Sequence, residues 1–120
     1  MANILLADDD AANLDLVRRA LSADGHTVTT AADGAEALEV LEAAGGAIEV
    51  LVADIDMPAL DGIALARAAR QSQPQLKVVL MSGFAGQLDR ARALDGAPIR
   101  TVSKPFSLEQ IRAEVRAAIG

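Results

Sequence analysis

Short apolar runs that end in acidic or small polar residues alternate along this chain with stretches whose apolar positions recur at helical spacing. Asn3–Ala7 (NILLA) is the first such run, and it stops abruptly at Asp8-Asp9-Asp10. From Ala11 to Ala23, Leu14, Val17 and Leu21 share one helical face, with Arg18 and Arg19 outward. Gly25 stops that helix, and Thr27 to Thr30 reads as a β-branched strand. Asp33 caps a second helix with Ala37, Leu38 and Leu41 inward, closed by Gly45-Gly46. Ile48 to Ala53 is the next apolar strand and again ends in acid, Asp54-Ile55-Asp56. After the loop from Met57 to Gly62, Asp61 caps a helix to about Gln71. Lys77 to Met81 predicts a strand ending at Ser82-Gly83, followed by a shorter helix over about Gly86 to Leu94. Ile99 to Val102 is the last strand, ending at Ser103-Lys104-Pro105-Phe106. Ser107 caps a final helix with Leu108, Ile111, Val115 and Ile119 on one face.

Near-continuous apolar strands are strands covered on both faces. Their alternation with helices predicts an α/β fold, a doubly wound five-stranded parallel sheet with right-handed crossovers. No linker, repeat or low-complexity stretch interrupts the pattern, so residues 1–120 read as one domain.

Composition narrows the chemistry. The 52% hydrophobic content includes 26 alanines, which supply helix propensity more than core bulk. The absence of cysteine excludes disulfides, thiolate zinc sites and a thiol nucleophile. A single histidine, His26, excludes multi-His metal sites and a Ser-His-Asp triad; following Gly25, at the strand pole away from the acids, it reads as an ordinary loop residue. The net charge of −6 and the lack of Trp and Tyr argue against a nucleic-acid partner. No apolar run has the roughly 20 residues of a membrane span. The amino end carries no basic region or cleavage-site pattern, so the expected location is the cytoplasm.

Ligands of open parallel sheets bind at the carboxyl ends of the strands. Those ends carry Asp8, Asp9 and Asp10, then Asp54 and Asp56, then Ser82, then Lys104. Singly, each has a plain structural reading as a helix cap or turn residue. If their strands are neighbours, several carboxylates, a hydroxyl and an ammonium share one patch. Such a patch suits Mg²⁺, which takes one or two carboxylates. It also suits a carboxylate nucleophile toward phosphorus, with Mg²⁺, Lys104 and Ser82 facing the phosphoryl oxygens.

These residues resemble the receiver domain of response regulators, the CheY-like phosphoacceptor module of two-component signalling, over essentially the whole chain. ILLADDD resembles its acidic-pair motif, VLVADIDMPALDG its phosphoacceptor motif, VVLMSGFA its hydroxyl position and TVSKPFSLEQI its lysine motif. The resemblance implies the flavodoxin-like strand order 2-1-3-4-5 and phosphorylation on Asp54. It further implies Mg²⁺ on Asp9, Asp54 and the backbone carbonyl of Asp56, with Asp8 acting through water. Lys104 and Ser82 contact the phosphoryl group, and the Lys104-Pro105 bond is cis. The implied donor is a histidine kinase or histidine phosphotransfer protein. A downstream protein partner then docks on the face of the fourth helix, fifth strand and fifth helix of a monomer or weak dimer. Such a domain modifies itself and is not a free-standing enzyme.

Three positions depart from the pattern. Thr101 stands where many receivers carry an aromatic, Ser82 replaces the commoner threonine, and Phe84 lies where it could shade hydrolytic water. The Ser-Gly-Phe-Ala and Ser-Lys-Pro-Phe texture is similar to stand-alone cell-cycle receivers and to receivers of hybrid histidine kinases. A haloacid-dehalogenase-like phosphatase also ends a strand in Asp-x-Asp. That fold carries the motif on its first strand, whereas 53 residues precede Asp54 here.

Overall fold

Parallel strands cannot be joined by tight turns, so each strand must be followed by a crossover, and in this chain every crossover is a helix. The computed structural model describes residues 1–94 and 96–120. These residues form β1 (Asn3–Ala7), α1 (Ala11–Ala23), β2 (Thr27–Ala31), α2 (Gly34–Ala44), β3 (Val50–Asp54), α3 (Gly62–Ser72), β4 (Lys77–Ser82), α4 (Ala85–Arg92), β5 (Arg100–Ser103) and α5 (Leu108–Ile119). The sheet order is β2-β1-β3-β4-β5, parallel throughout. The chain moves from β1 to one side and then returns to the other, so a crevice opens at the carboxyl ends of β1 and β3.

Side-chain alternation sorts the strands into two cores. Leu5, Ala7, Leu51, Ala53, Val78 and Leu80 face α2, α3 and α4, meeting Leu41, Leu65 and Leu88. Ile4, Leu6, Val50, Val52, Val79 and Met81 face α1 and α5, meeting Val17, Leu21, Ile111 and Val115. The edge strand β2 is only half covered, which is why it is written in threonines. Arg112 of α5 closes the second layer with a two-pronged bond to Asp24 at the end of α1, at 2.5 and 3.0 Å.

The caps fall where the sequence placed them. Asp33 accepts from Glu36 N, Asp61 from Ala64 N, and Ser107 forms a capping box with Gln110. β2, β3 and β4 each run one residue further than expected, through Ala31, Asp54 and Ser82, and three elements differ more. β3 starts at Val50 although Ile48 is buried, because the Ile48 carbonyl is taken by Gln73 Nε2 at 2.6 Å instead of the ladder. β5 is shifted one residue on: pairing with β4 begins at Arg100 and runs to Ser103, while Ile99 packs on the core from the preceding turn. α4 starts and ends earlier, at Ala85 and Arg92.

Two helix starts clamp the loop after β3. A Cβ on Gly34 would lie 1.8 Å from the Leu60 carbonyl oxygen. One on Gly62 would lie 2.5 Å from the Asp54 carbonyl oxygen and 2.9 Å from the Ile55 Cα. Gly62 N also donates to the Ile55 carbonyl at 2.9 Å. Backbone cannot rotate aside as a flexible side chain can. Gly62→Ala is therefore expected to destabilise the fold by about 1–3 kcal/mol, the usual range for overpacking, in urea unfolding. An unchanged midpoint would show that the α3 start does not press on the end of β3.

Candidate functional site at the strand ends

Register brings the functional side chains together. Ala7 pairs with Ala53, so Asp8 stands level with Asp54. Asp54 pairs with Met81, and Ser82 is the next residue. Ser82 pairs with Ser103, and Lys104 follows, its N–H reaching the Ser82 carbonyl at 2.8 Å. The Lys104-Pro105 peptide is cis.

The three aspartates after β1 divide their work. Asp10 is the N-cap of α1, accepting from Ala12 N and Asn13 N. Asp8 is buried, with Oδ1 accepting from Asp10 N at 2.9 Å and Oδ2 from Asn13 Nδ2 at 2.5 Å. Asp9 is exposed. One carboxylate oxygen from each of Asp8, Asp9 and Asp54 lies within 4.8 Å of the others, a set of hard oxygen donors fit for a divalent cation.

Asp54 is only 4% exposed. Its Oδ1 accepts from Asp56 N at 3.1 Å and its Oδ2 from Lys104 Nζ at 2.5 Å. Burial pushes its carboxyl above the ordinary aspartate range, and the charge of Asp8 adds to this. The Lys104 ammonium and the Asp56 N–H pull the other way without overcoming it. For Lys104, burial disfavours the charge, but the bond to Asp54 and the charges of Asp54, Asp8 and Asp9 outweigh it and raise the ammonium. The two directions have different origins: burial raises the Asp54 carboxyl, whereas the neighbouring carboxylates raise the Lys104 ammonium against the effect of burial.

Ser82 is buried at the end of β4. Its Oγ accepts from Phe84 N at 3.0 Å and donates to Gln87 Oε1 in α4. Gln87 Nε2 in turn donates to Asp56 Oδ1 at 3.2 Å. Thr101 on β5 accepts from Arg92 Nη2 of α4 at 2.8 Å. Phe84 is 61% exposed at the mouth of the site. His26 lies at the other pole, its Nδ1 accepting from Ala2 N. Asn13 and Gln87 are the participants the sequence did not reveal, since an amide in a first helical turn looks the same whether it faces a site or water. A further groove, lined by Asp10, Asn13, Lys104, Pro105 and Phe106, adjoins the patch.

The profile of the response regulator receiver domain matches residues 4–116. This chain belongs to the response regulator receiver family. Among the relatives of this receiver, the sensor kinase CckA of Brucella abortus (strain 2308) is 38% identical over 113 residues, covering 94% of this chain and 12% of the relative. The response regulator MprA of Mycobacterium ulcerans (strain Agy99) is 37% identical over 116 residues, covering 97% and 49%. The chain thus spans half or less of the curated relatives it matches. Among solved structures, the receiver domain of the sensor histidine kinase PA1611 from Pseudomonas aeruginosa PAO1, with a magnesium ion in its active-site cleft, superposes with a TM-score of 0.82. It is 25% identical, over 99% of this chain and 98% of that one. No described helix is long and apolar enough to cross a membrane.

The sign of the pH effect follows from the Asp54 direction. A carboxyl whose folded pKa is raised binds its proton more tightly in the folded state. Its contribution to stability therefore declines as pH rises from the ordinary carboxylate range through the raised value. Lys104 acts at the alkaline end, where its stabilising contribution is lost as pH rises through its raised pKa. A cation bound only by the folded patch restores stability by about 1.4 kcal/mol at ten times its Kd. In thermal melts near pH 7, millimolar MgCl₂ is expected to raise Tm by several degrees, with the gain fading as pH falls into the carboxylate range. Asp9→Asn is expected to raise the Tm of the metal-free protein and blunt the response to MgCl₂. A Tm indifferent to MgCl₂ would mean that the three carboxylates do not act as one site.

Proposed function

We propose that residues 1–120 form one receiver module that accepts a phosphoryl group on Asp54 and switches a protein-binding surface. The observation that carries this reading is the arrangement of Asp54 itself: a buried carboxylate, bonded to Lys104 Nζ, with a ligand oxygen within 4.8 Å of those of Asp8 and Asp9. Asp9, Asp54 and the backbone carbonyl of Asp56 would hold Mg²⁺, with Asp8 reaching it through water. The magnesium-bearing cleft of the PA1611 receiver supports that choice of ion. Mg²⁺, when bound, supplies charge neutralisation for the phosphoryl oxygens.

The chain's own residues do the rest. An Asp54 oxygen attacks phosphorus while the P–N bond of a phosphohistidine breaks; the imidazole leaves with the electron pair and takes up a proton. Lys104 passes from Asp54 Oδ2 to a phosphoryl oxygen, and Ser82 donates to another. The acceptor is modified once rather than turned over, so the module signals and does not serve as a metabolic enzyme. Its donor is a histidine kinase or histidine phosphotransfer protein in the cytoplasm. Its output partner is a protein that meets α4, β5 and α5 on a monomer or weak dimer, the face where Arg92 reaches Thr101 and Arg100 reaches Glu114.

Incubation with MgCl₂ and acetyl phosphate is expected to add one base-labile phosphoryl group by intact-mass spectrometry. Asp54→Asn and omission of Mg²⁺ should each abolish it. Full labelling of Asp54→Asn would move the acceptor elsewhere.

A further inference from the structure

We infer that Gln87 is a positioning residue that competes with the phosphoryl group for the single proton of Ser82, so that phosphorylation unlatches α4; the inference rests on Asp54 being the acceptor. Gln87 lies in the first turn of α4, and both ends of its amide are engaged. Oε1 accepts from Ser82 Oγ, and Nε2 donates to Asp56 Oδ1 at 3.2 Å. Ser82 Oγ in turn accepts from Phe84 N at 3.0 Å, which occupies one of its two lone pairs and leaves its single proton as the scarce resource.

A serine hydroxyl has one proton to give. A phosphoryl oxygen only accepts, so Ser82 can bond it only by donating the proton now held against Gln87 Oε1. The two bonds exclude each other. The unphosphorylated state keeps the Gln87 bond, and the phosphorylated state must release it.

Release matters because α4 has few other anchors. Its N-cap, Phe84, makes no side-chain capping bond, and only Leu88 and Ala91 are buried among its eight residues. Its far end is tied to β5 by the exposed bond from Arg92 to Thr101. The Gln87 amide therefore fixes the inner end of the helix to the site, and letting go of Ser82 leaves that end of α4 held by its side chain through the exposed Nε2–Asp56 bond alone. A helix this lightly held belongs to the low-stability part of a fold, where switching segments are found. With Thr101 in place of an aromatic, this amide gives the chain a route from site to surface that needs no ring to move.

The test measures beryllofluoride affinity at saturating Mg²⁺ for the full chain and for Gln87→Met, Ser82→Ala and the double variant, with amide exchange across Ala85–Arg92. Methionine keeps the length of the side chain and removes both bonds. Gln87→Met is expected to bind beryllofluoride about three- to tenfold more tightly, the scale of one net hydrogen bond. Its α4 should exchange faster without ligand, approaching the ligand-bound full chain. In the Ser82→Ala background the substitution should change nothing. Unchanged or weaker binding by Gln87→Met, with the full chain binding normally, overturns the inference. A gain that persists without Ser82 overturns it too, assigning the effect to the freed Asp56 carboxylate. Failure of the full chain to bind beryllofluoride at all would instead overturn the reading of Asp54 as acceptor.

Discussion

A carboxylate withdrawn from water at the end of the central strand is the constraint on which this structure turns. Asp54 sits beside the buried Asp8, and Lys104 is the cation bonded to it. Removing a charge from water is costly unless it is paired and hydrogen-bonded. The fold meets that cost only in part: the Lys104 bond and the Asp56 N–H hold the charged form, yet burial still leaves the carboxyl above its ordinary range. An acid patch short of positive charge is primed for a cation, and a buried carboxylate held in one orientation is primed to attack an electrophile. The chemistry is thus stored as an electrostatic deficit that the packing maintains.

The packing that maintains it is backbone against backbone. β1, β3 and β4 carry apolar residues on both faces, so their ladder fixes the heights of Asp8, Asp54 and Ser82 without help from the site. Gly62 lets α3 start against the Asp54 and Ile55 main chain, and Gly34 lets α2 close on Leu60. Between them the loop after β3 bends through Ala59, whose φ of 69° is in the left-handed region. The Asp56 N–H closes a local turn onto the Asp54 side chain before that bend, at 3.1 Å.

Most of this architecture was legible in the residues. Apolar runs too short for helices and unbroken by alternation can only be strands covered on both sides, and Asp33, Asp61 and Ser107 announce the helices after them. The site was legible because its members end four different strands, a position where packing has no use for acids or a lysine. The two misplaced strand starts share a cause. Burial and strand pairing are separate properties, so Ile48 and Ile99 are apolar for the core yet lie outside the ladder. The hidden members, Asn13 and Gln87, are neutral amides whose importance lies in which proton meets which lone pair. Sequence spacing carries no trace of that, and the left-handed Ala59 was equally silent because alanine does not signal a positive φ as glycine does.

The charge state of Asp54 is the quantity that joins packing, metal and switch, and it can be read directly. A ¹³C titration of the Asp54 side-chain carboxyl in the metal-free protein should show a midpoint above the roughly 3.9 of a free aspartate. In Lys104→Met, where the largest influence favouring the charged form is gone, the midpoint should rise further. A midpoint at or below the free value, or one that Lys104→Met leaves in place, would contradict the account.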